Sequence, residues 1–378
     1  MVALAGHGAL PNAKRVVVKV GSALLVDEEK NTINKAWLAG IANDISRLKA
    51  LGKDVVVVSS GAIALGSQLL KIHNKTLSLQ EKQAAAAAGQ VTLAHAWMEA
   101  LGAYTVQAAQ ILLSPDDTET RRKHLNARAT MGALLDLGAV PVVNENDTVA
   151  TAEIRFGDND RLAARVAAMI GADLLILLSD VDGLYTLNPN KNNDVAHLPE
   201  INHITDDIMA MAGTANAQYA SGGMITKLEA GRISTAAGCH MIICDGRDPE
   251  PLSRLENGAR CSFFIATETP HAARKQWIAG ALTPRGTIGV DTGAAKALRS
   301  GKSLLPAGVV AVGGQFDRGD LVAIEDLSGR IIGHGLSSYS ATDAAKIKGQ
   351  KSREIETMLG YRGRDEMIHA DNLVVISD

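Results

Sequence analysis

The stretch Asn144–Arg161 (NENDTVATAEIRFGDNDR) concentrates six short polar side chains, Asn144, Asn146, Asp147, Asp158, Asn159 and Asp160, in two clusters around an apolar interruption. Carboxamides supply both a donor and an acceptor, and carboxylates supply acceptors with charge. Such a set can orient a small polar substrate and hold cations in place. The apolar run Val140–Val143 just upstream reads as a buried strand. Downstream, Leu162, Val166, Met169 and Ile170 recur at helical spacing, which predicts a helix beginning near Asn159. The clusters therefore occupy a strand end and a helix start, where open α/β sheets bind ligands. Helix capping and turn formation account for one residue at each end, not for six.

Three other places could contribute chemistry. Val16–Ser22 (VVVKVGS) delivers Lys19 inside an apolar strand next to Gly21. Either the lysine stem snorkels to the surface, or its ammonium faces a ligand that approaches the backbone at the glycine. Ser59-Ser60-Gly61-Ala62 ends another strand and opens a helix, as an ordinary cap or as a cradle for an anion. Ser221–Lys227 (SGGMITK) joins two glycines, a helix start near Met224 and a lysine one turn in. That combination favours close approach to a bound group over a plain glycine turn. Leu178–Tyr185 (LSDVDGLY) leaves a further strand, as a nucleotide border or an Asp-Gly turn. The near miss Gly301-Lys302-Ser303 is no phosphate-binding loop, because Lys296 stands where that motif needs glycine. Two lysines, a glycine-rich amide nest and an organising aspartate meet the needs of phosphoryl transfer without such a loop.

The elements that must position these groups alternate along the chain. Strands are expected over Arg15–Val20, Asp54–Val58, Tyr104–Gln107, Val140–Val143, Leu174–Leu178 and Met241–Cys244, with helices over Trp37–Leu51, Glu81–Leu101 and Lys123–Leu137. This alternation implies right-handed βαβ units and an α/β fold whose mostly parallel open sheet is sandwiched by helices. After about Pro284 the pattern turns β-rich and glycine-rich, with short segments Gly286–Val290, Gly308–Val312 and Leu321–Ile324, and Thr267–Thr283 reads as a connecting helix. The 378 residues, 46% hydrophobic and 21% charged, favour two packed domains over disorder. Aromatics are only 3%, so Ala, Val, Leu and Ile must build the core. Three cysteines without CxxC spacing read as buried reduced thiols of a cytoplasmic protein. The N-terminus lacks the basic start of a signal peptide, and no charge-free run is long enough to span a bilayer. The net charge of −3, with twelve Lys+Arg and twelve Asp+Glu from Arg285 onward, argues against a nucleic-acid partner.

The motifs VVVKVGSALL, VVVVSSGAIALG, VPVVNENDTVATAEIRFGDNDRLAA, LLILLSDVDGLYT and SGGMITKLEAGRI resemble those of the amino acid kinase family, and the tail from Thr283 resembles a PUA domain. The resemblance covers about Lys14 to Gly363 and is closest to members that phosphorylate the side-chain carboxylate of L-glutamate, the first step of proline biosynthesis. It implies a catalytic domain over residues 1–266, a linker over 267–284, a PUA domain over 285–365 and a tail over 366–378. It further implies that Lys19 and Lys227 grip the phosphoryl group in flight and that Asp160, with Asp158 as a sharer, holds the two ammonium groups. Ser60, Asn144, Asp147, Asp158 and Asn159 would bind glutamate. ATP would lie along Lys19, Ser179, Asp180, Ser221, Gly222, Gly223, Met224, Ile225, Thr226 and Lys227, and Mg2+ would ride on its phosphates. Two departures, Ser221 where threonine is common and Val181-Asp182 for a frequent Gln-Lys pair, fall on the nucleotide side. The resemblance also implies feedback inhibition by L-proline, a homo-oligomer (dimer or tetramer) and a glutamyl-phosphate reductase as functional partner.

Overall fold

The computed structural model describes residues 5–27, 32–72, 76–149, 159–187, 195–212, 223–280 and 283–376. It divides into two compact units, Met1–Pro270 and His271–Asp378. The first is built on eight strands, β1 (Arg15–Val20), β2 (Asp54–Ser59), β3 (Ala108–Leu113), β4 (Val140–Glu145), β5 (Leu174–Ser179), β6 (Glu200–Ile201), β7 (His240–Asp245) and β8 (Cys261–Phe264). Their order across the sheet is β6-β8-β7-β5-β1-β2-β4-β3. Strands β3, β4, β2, β1, β5 and β7 are mutually parallel, and β8 pairs antiparallel with β7.

The sheet is buried on both faces, which is why its strands are nearly continuous apolar runs. Period two divides them: Val16, Val18, Val55, Val57, Leu174 and Ile176 enter one core cluster, whereas Val17, Val56, Val58, Leu175 and Leu177 enter the other. The first face is covered by α1 (Lys35–Ala50), through Trp37, Ile41 and Ile45, and by α3 (Leu79–Gly102), through Leu93, Trp97 and Leu101. Helix α2 (Ala62–Leu69) follows β2 directly. The second face is covered by α4 (Arg121–Asp136), α5 (Asn159–Ile170) and α6 (Met224–Ala236), through Met131, Leu162, Val166 and Leu228. Lys19 has the parity of Val17, so its side chain leaves β1 on the face covered by α5 and α6.

One expected strand is displaced. Tyr104–Val106 is a turn in which Thr105 has φ of 61°, and the strand runs over Ala108–Leu113 instead. Pairing with β4, from Ala108↔Val140 to Leu113↔Glu145, overrides the local preference of the β-branched and aromatic residues upstream. The connecting helix expected after Thr267 is present as α7 (Pro270–Gly280).

The second unit holds a five-stranded sheet of β9 (Gly286–Val290), β10 (Val309–Gly314), β11 (Leu321–Glu325), β12 (Ile331–Leu336) and β13 (Leu373–Val375), in the order β10-β9-β11-β12-β13. Its core gathers Ile288, Val322, Ile324, Tyr339 and Ile347. Strand β13 falls in the segment expected as a tail, yet it pairs with β12 and belongs to this sheet. The three cysteines are free and buried. Among the described residues, no helix is long and apolar enough to cross a membrane.

Candidate active site

The carboxyl ends of β1, β2, β4 and β5 converge on a cleft of about 560 Å³. Its lining includes Lys19 in β1 and Gly21 after it, Ser60 and Gly61 after β2, Asn144 and Glu145 at the end of β4 with Asp147 beyond, Ser179 at the end of β5 with Asp180 beyond, Asn159 from α5 and Lys227 from α6. The chain passes from β1 to β2 on one side of the sheet and returns to β5 on the other. The cleft therefore sits at a switch in strand order, the expected location for a ligand.

Charge is concentrated at one end. Asp160, the second residue of α5, has no solvent exposure, while Lys19 and Lys227 are 7% and 6% exposed. Lys19 Nζ lies 2.6 Å from Asp160 Oδ1, and Lys227 Nζ lies 3.1 Å from Asp160 Oδ2. Burial alone would push the Asp160 carboxyl upward, but the two ammonium charges and their hydrogen bonds hold its pKa below the ordinary value. It stays ionised at neutral pH and holds the two lysines side by side. An ammonium carries three N–H donors and no acceptor, so both lysines present donors and positive charge around Asp160. The carboxylate in the first turn of α5 is also favoured by the helix dipole.

The other end is built on neutral amides and a hydroxyl, with the Glu145 and Asp147 carboxylates also in the lining. Asn144 Oδ1 accepts from the Glu145 backbone N–H at 2.9 Å and from Asn159 Nδ2 at 2.9 Å. Asn159 Nδ2 also donates to Ser60 Oγ at 2.7 Å. Asn144 Nδ2 donates to Gln90 Oε1 at 2.8 Å. The backbone N–H of Glu145 can only donate, so it fixes the polarity of this chain of amides. Each amide nitrogen carries two hydrogens and each oxygen two lone pairs. What the network leaves over is one N–H on Asn144, the oxygen of Asn159 and the hydroxyl hydrogen of Ser60. Two donors and an acceptor, beside the Asp147 carboxylate on the same wall, suit the carboxylate and ammonium of an amino acid.

Local geometry places these groups. Gly61, at φ 111°, turns the chain sharply from β2 into α2, and the Ser60 N–H donates to the Val20 carbonyl at 3.1 Å. Gly21 has an ordinary backbone conformation, φ −73° and ψ 154°, and the sole neighbour within 4 Å of an added Cβ is Lys19 Nζ at 3.9 Å. The fold does not need glycine there, but a ligand at Lys19 would use the space.

The structure brings Lys19, Lys227 and Asp160 together at one end and Ser60, Asn144, Asp147 and Asn159 at the other. Ser179 and Asp180 lie on the cleft wall, joined by a 3.0 Å hydrogen bond from Ser179 Oγ to Asp180 Oδ1. Gly223, Met224, Ile225 and Thr226 are not on that wall. Gly223 instead caps α6, Met224 packs against the core, and the Thr226 hydroxyl donates to the Gly223 carbonyl at 2.7 Å while lying 3.3 Å from Asp160 Oδ2. Asp158, Ser221 and Gly222 lie outside the described residues. Gln90 was missed by sequence reasoning. Ser59, expected with Ser60 at the strand end, is not on the wall and accepts from the buried indole of Trp97 at 2.9 Å.

Magnesium fits these residues as an ion carried by a nucleotide. Among the described residues, no group of three or more His, Cys, Asp or Glu stands together as a ligand set. Asp160 already spends both oxygens on lysines.

Residues 14–245 match the amino acid kinase family, and residues 286–359 match the PUA domain. The chain is 55% identical over 366 residues to the glutamate 5-kinase of Paramagnetospirillum magneticum, covering 97% of this chain and 99% of that protein. It is 58% identical over 362 residues to the glutamate 5-kinase of Rhizobium johnstonii, covering 96% and 93%. It is 56% identical over 367 residues to glutamate 5-kinase 1 of Rhizobium meliloti, covering 97% and 93%. With matches of that extent, the chain belongs to the amino acid kinase family.

Proposed function

We propose that this protein transfers the γ-phosphoryl group of ATP to the side-chain carboxylate of L-glutamate, giving L-glutamyl 5-phosphate and ADP, the step that opens proline biosynthesis. The observation that carries the reading is the polarity of the cleft: two ammonium groups held on one buried carboxylate, beside a neutral amide network with a fixed set of spare donors and an acceptor. The near-full-length relatives named glutamate 5-kinase support it.

In this mechanism an oxygen of the glutamate side-chain carboxylate attacks the γ-phosphorus, a P–O bond forms, and the bond to the β–γ bridging oxygen breaks, leaving ADP. The nucleophile is already ionised at neutral pH, so no general base is needed. Lys19 and Lys227 turn their positive charge to the equatorial oxygens of the migrating group, where charge is spread in the transition state. Asp160 keeps the two ammonium groups at a fixed spacing. Ser60 and Asn144 donate to the substrate α-carboxylate, while Asp147 and the Asn159 oxygen receive its ammonium. Ser179 and Asp180 border the nucleotide, with Gly223 to Thr226 at the mouth of α6. Mg2+ would be held by phosphate oxygens of the nucleotide and by water, and would supply neutralisation of the phosphate charge.

L-Proline shares the α-carboxylate and ammonium of glutamate but lacks the attacking carboxylate. It would occupy the amide end and raise the apparent KM for glutamate without changing kcat. A cytoplasmic homo-oligomer whose product passes to a glutamyl-phosphate reductase completes the reading. An ADP-release assay with L-glutamate, N-acetylglutamate, aspartate, carbamate and UMP tests it. Turnover with glutamate alone is expected, and preferential turnover with any other acceptor contradicts it.

A further inference from the structure

Gln90 lies on α3, outside every motif that drew attention to the site, yet it terminates the amide network. Its position is set by an unusually close pair of helices. A Cβ on Gly89 would overlap the Ala62 carbonyl oxygen of α2, and a Cβ on Gly66 would overlap the Ala85 carbonyl oxygen of α3. With backbone against backbone, Gln90 reaches past α2 to the end of β4. There its Oε1 accepts from Asn144 Nδ2 at 2.8 Å.

The bond has a directional consequence. Asn144 has one amide oxygen, filled by the Glu145 N–H and Asn159 Nδ2, and two amide hydrogens, one of which goes to Gln90. Without an acceptor at position 90, that hydrogen would be stranded in a part of the site where Asn144 is nearly inaccessible. The amide could then rotate or flip, withdrawing its donor from the cleft and its acceptor from Asn159. Asn159 and Ser60, the next members of the chain, would lose their reference orientation.

We infer that Gln90 is a positioning residue for the amino-acid substrate, its side-chain oxygen holding the Asn144 amide in the orientation that the Glu145 N–H sets and so keeping Asn159 aligned. The inference rests on the glutamate kinase reading and deepens it. It assigns the amino-acid end of the cleft a support from α3, whereas the phosphoryl end is organised by the Lys19, Asp160 and Lys227 charges.

Steady-state kinetics of Gln90→Met and Gln90→Glu in the full-length protein test it, with KM for glutamate, KM for ATP, kcat and Tm measured together. Gln90→Met removes the acceptor at similar volume. It should raise the glutamate KM about tenfold, the scale of one hydrogen bond in a buried network, while the ATP KM stays within about twofold. Gln90→Glu retains an acceptor and should recover most of the loss. Gln90→Lys, which can only donate, gives an independent reading should the methionine variant fail to fold, and should also raise the glutamate KM. An unchanged glutamate KM in any folded variant without an acceptor overturns the inference. So does a parallel rise of both KM values with a fall in Tm that Gln90→Glu does not rescue, the pattern of a merely structural residue. A wild-type protein that releases no ADP with glutamate overturns the function itself, before any variant is compared.

Discussion

The two ends of the cleft solve opposite problems. At the phosphoryl end, Lys19, Asp160 and Lys227 form a buried charged triad in which a single carboxylate serves both cations. At the amino-acid end, Gln90, Asn144, Asn159 and Ser60 form a buried neutral chain in which direction, not charge, carries the information. On the proposed function, the contrast follows from the ligands. A migrating phosphoryl group needs neutralisation, which charge supplies whatever the exact angle. An α-amino acid needs donors and acceptors in the correct places, which amides with fixed polarity supply.

The largest effects should come from breaking the charged end. Asp160→Ala leaves two ammonium groups facing each other with little solvent, and should cost about 3–5 kcal/mol of stability along with most of the turnover. A thermal melt near wild type would show that the triad is not a coupled unit. The pH dependence has a defined sign. The folded pKa of Asp160 lies below the ordinary 3.8, so its stabilisation is complete above about pH 4 and is lost as pH falls through the lowered value. The Tm deficit of Asp160→Asn should therefore be constant from about pH 8 to about pH 5 and narrow only in stronger acid.

At the neutral end the loss should be selective. Asn159→Leu removes the donors to Ser60 Oγ and Asn144 Oδ1 and should raise the glutamate KM roughly 10- to 100-fold, with the ATP KM nearly unchanged. An equal rise in both would erase the distinction between the two ends. A smaller effect sharpens the boundary. Gly21→Ala adds a methyl group into open space 3.9 Å from Lys19 Nζ, so stability should shift by less than about 0.5 kcal/mol. Catalytic efficiency with ATP should fall by roughly ten- to a hundredfold if a phosphate passes there. Unchanged kinetics would place the phosphates elsewhere.

Much of this was legible in the sequence because both ends are assembled at element boundaries. Lys19 announces itself by interrupting a valine run, and Asn144 and Asn159 stand where an apolar strand stops and an apolar helical repeat begins. Gln90 was not legible. A glutamine in an alanine-rich helix reads as solvated, and what turns it inward is the packing of Gly66 against Gly89, a pairing that exists only in three dimensions. The strand Ala108–Leu113 was hidden for a related reason: its alanines and glutamine have weak β preference, and β4 alone specifies its pairing. In the second unit, β12 carries Gly333 and Gly335, which weaken a strand signal. Added Cβ atoms there would press on the Val374 carbonyl and on Ile368, so the glycines allow the close approach of β13 and its neighbours.

The central claim is that the lysines of β1 and α6 act together on one phosphoryl group while the amides hold the acceptor. Steady-state kinetics of Lys227→Met measures this most directly. The account predicts a fall in kcat of about 10²–10³ with the glutamate KM within about threefold of wild type; wild-type turnover, or a loss confined to glutamate binding, would contradict it.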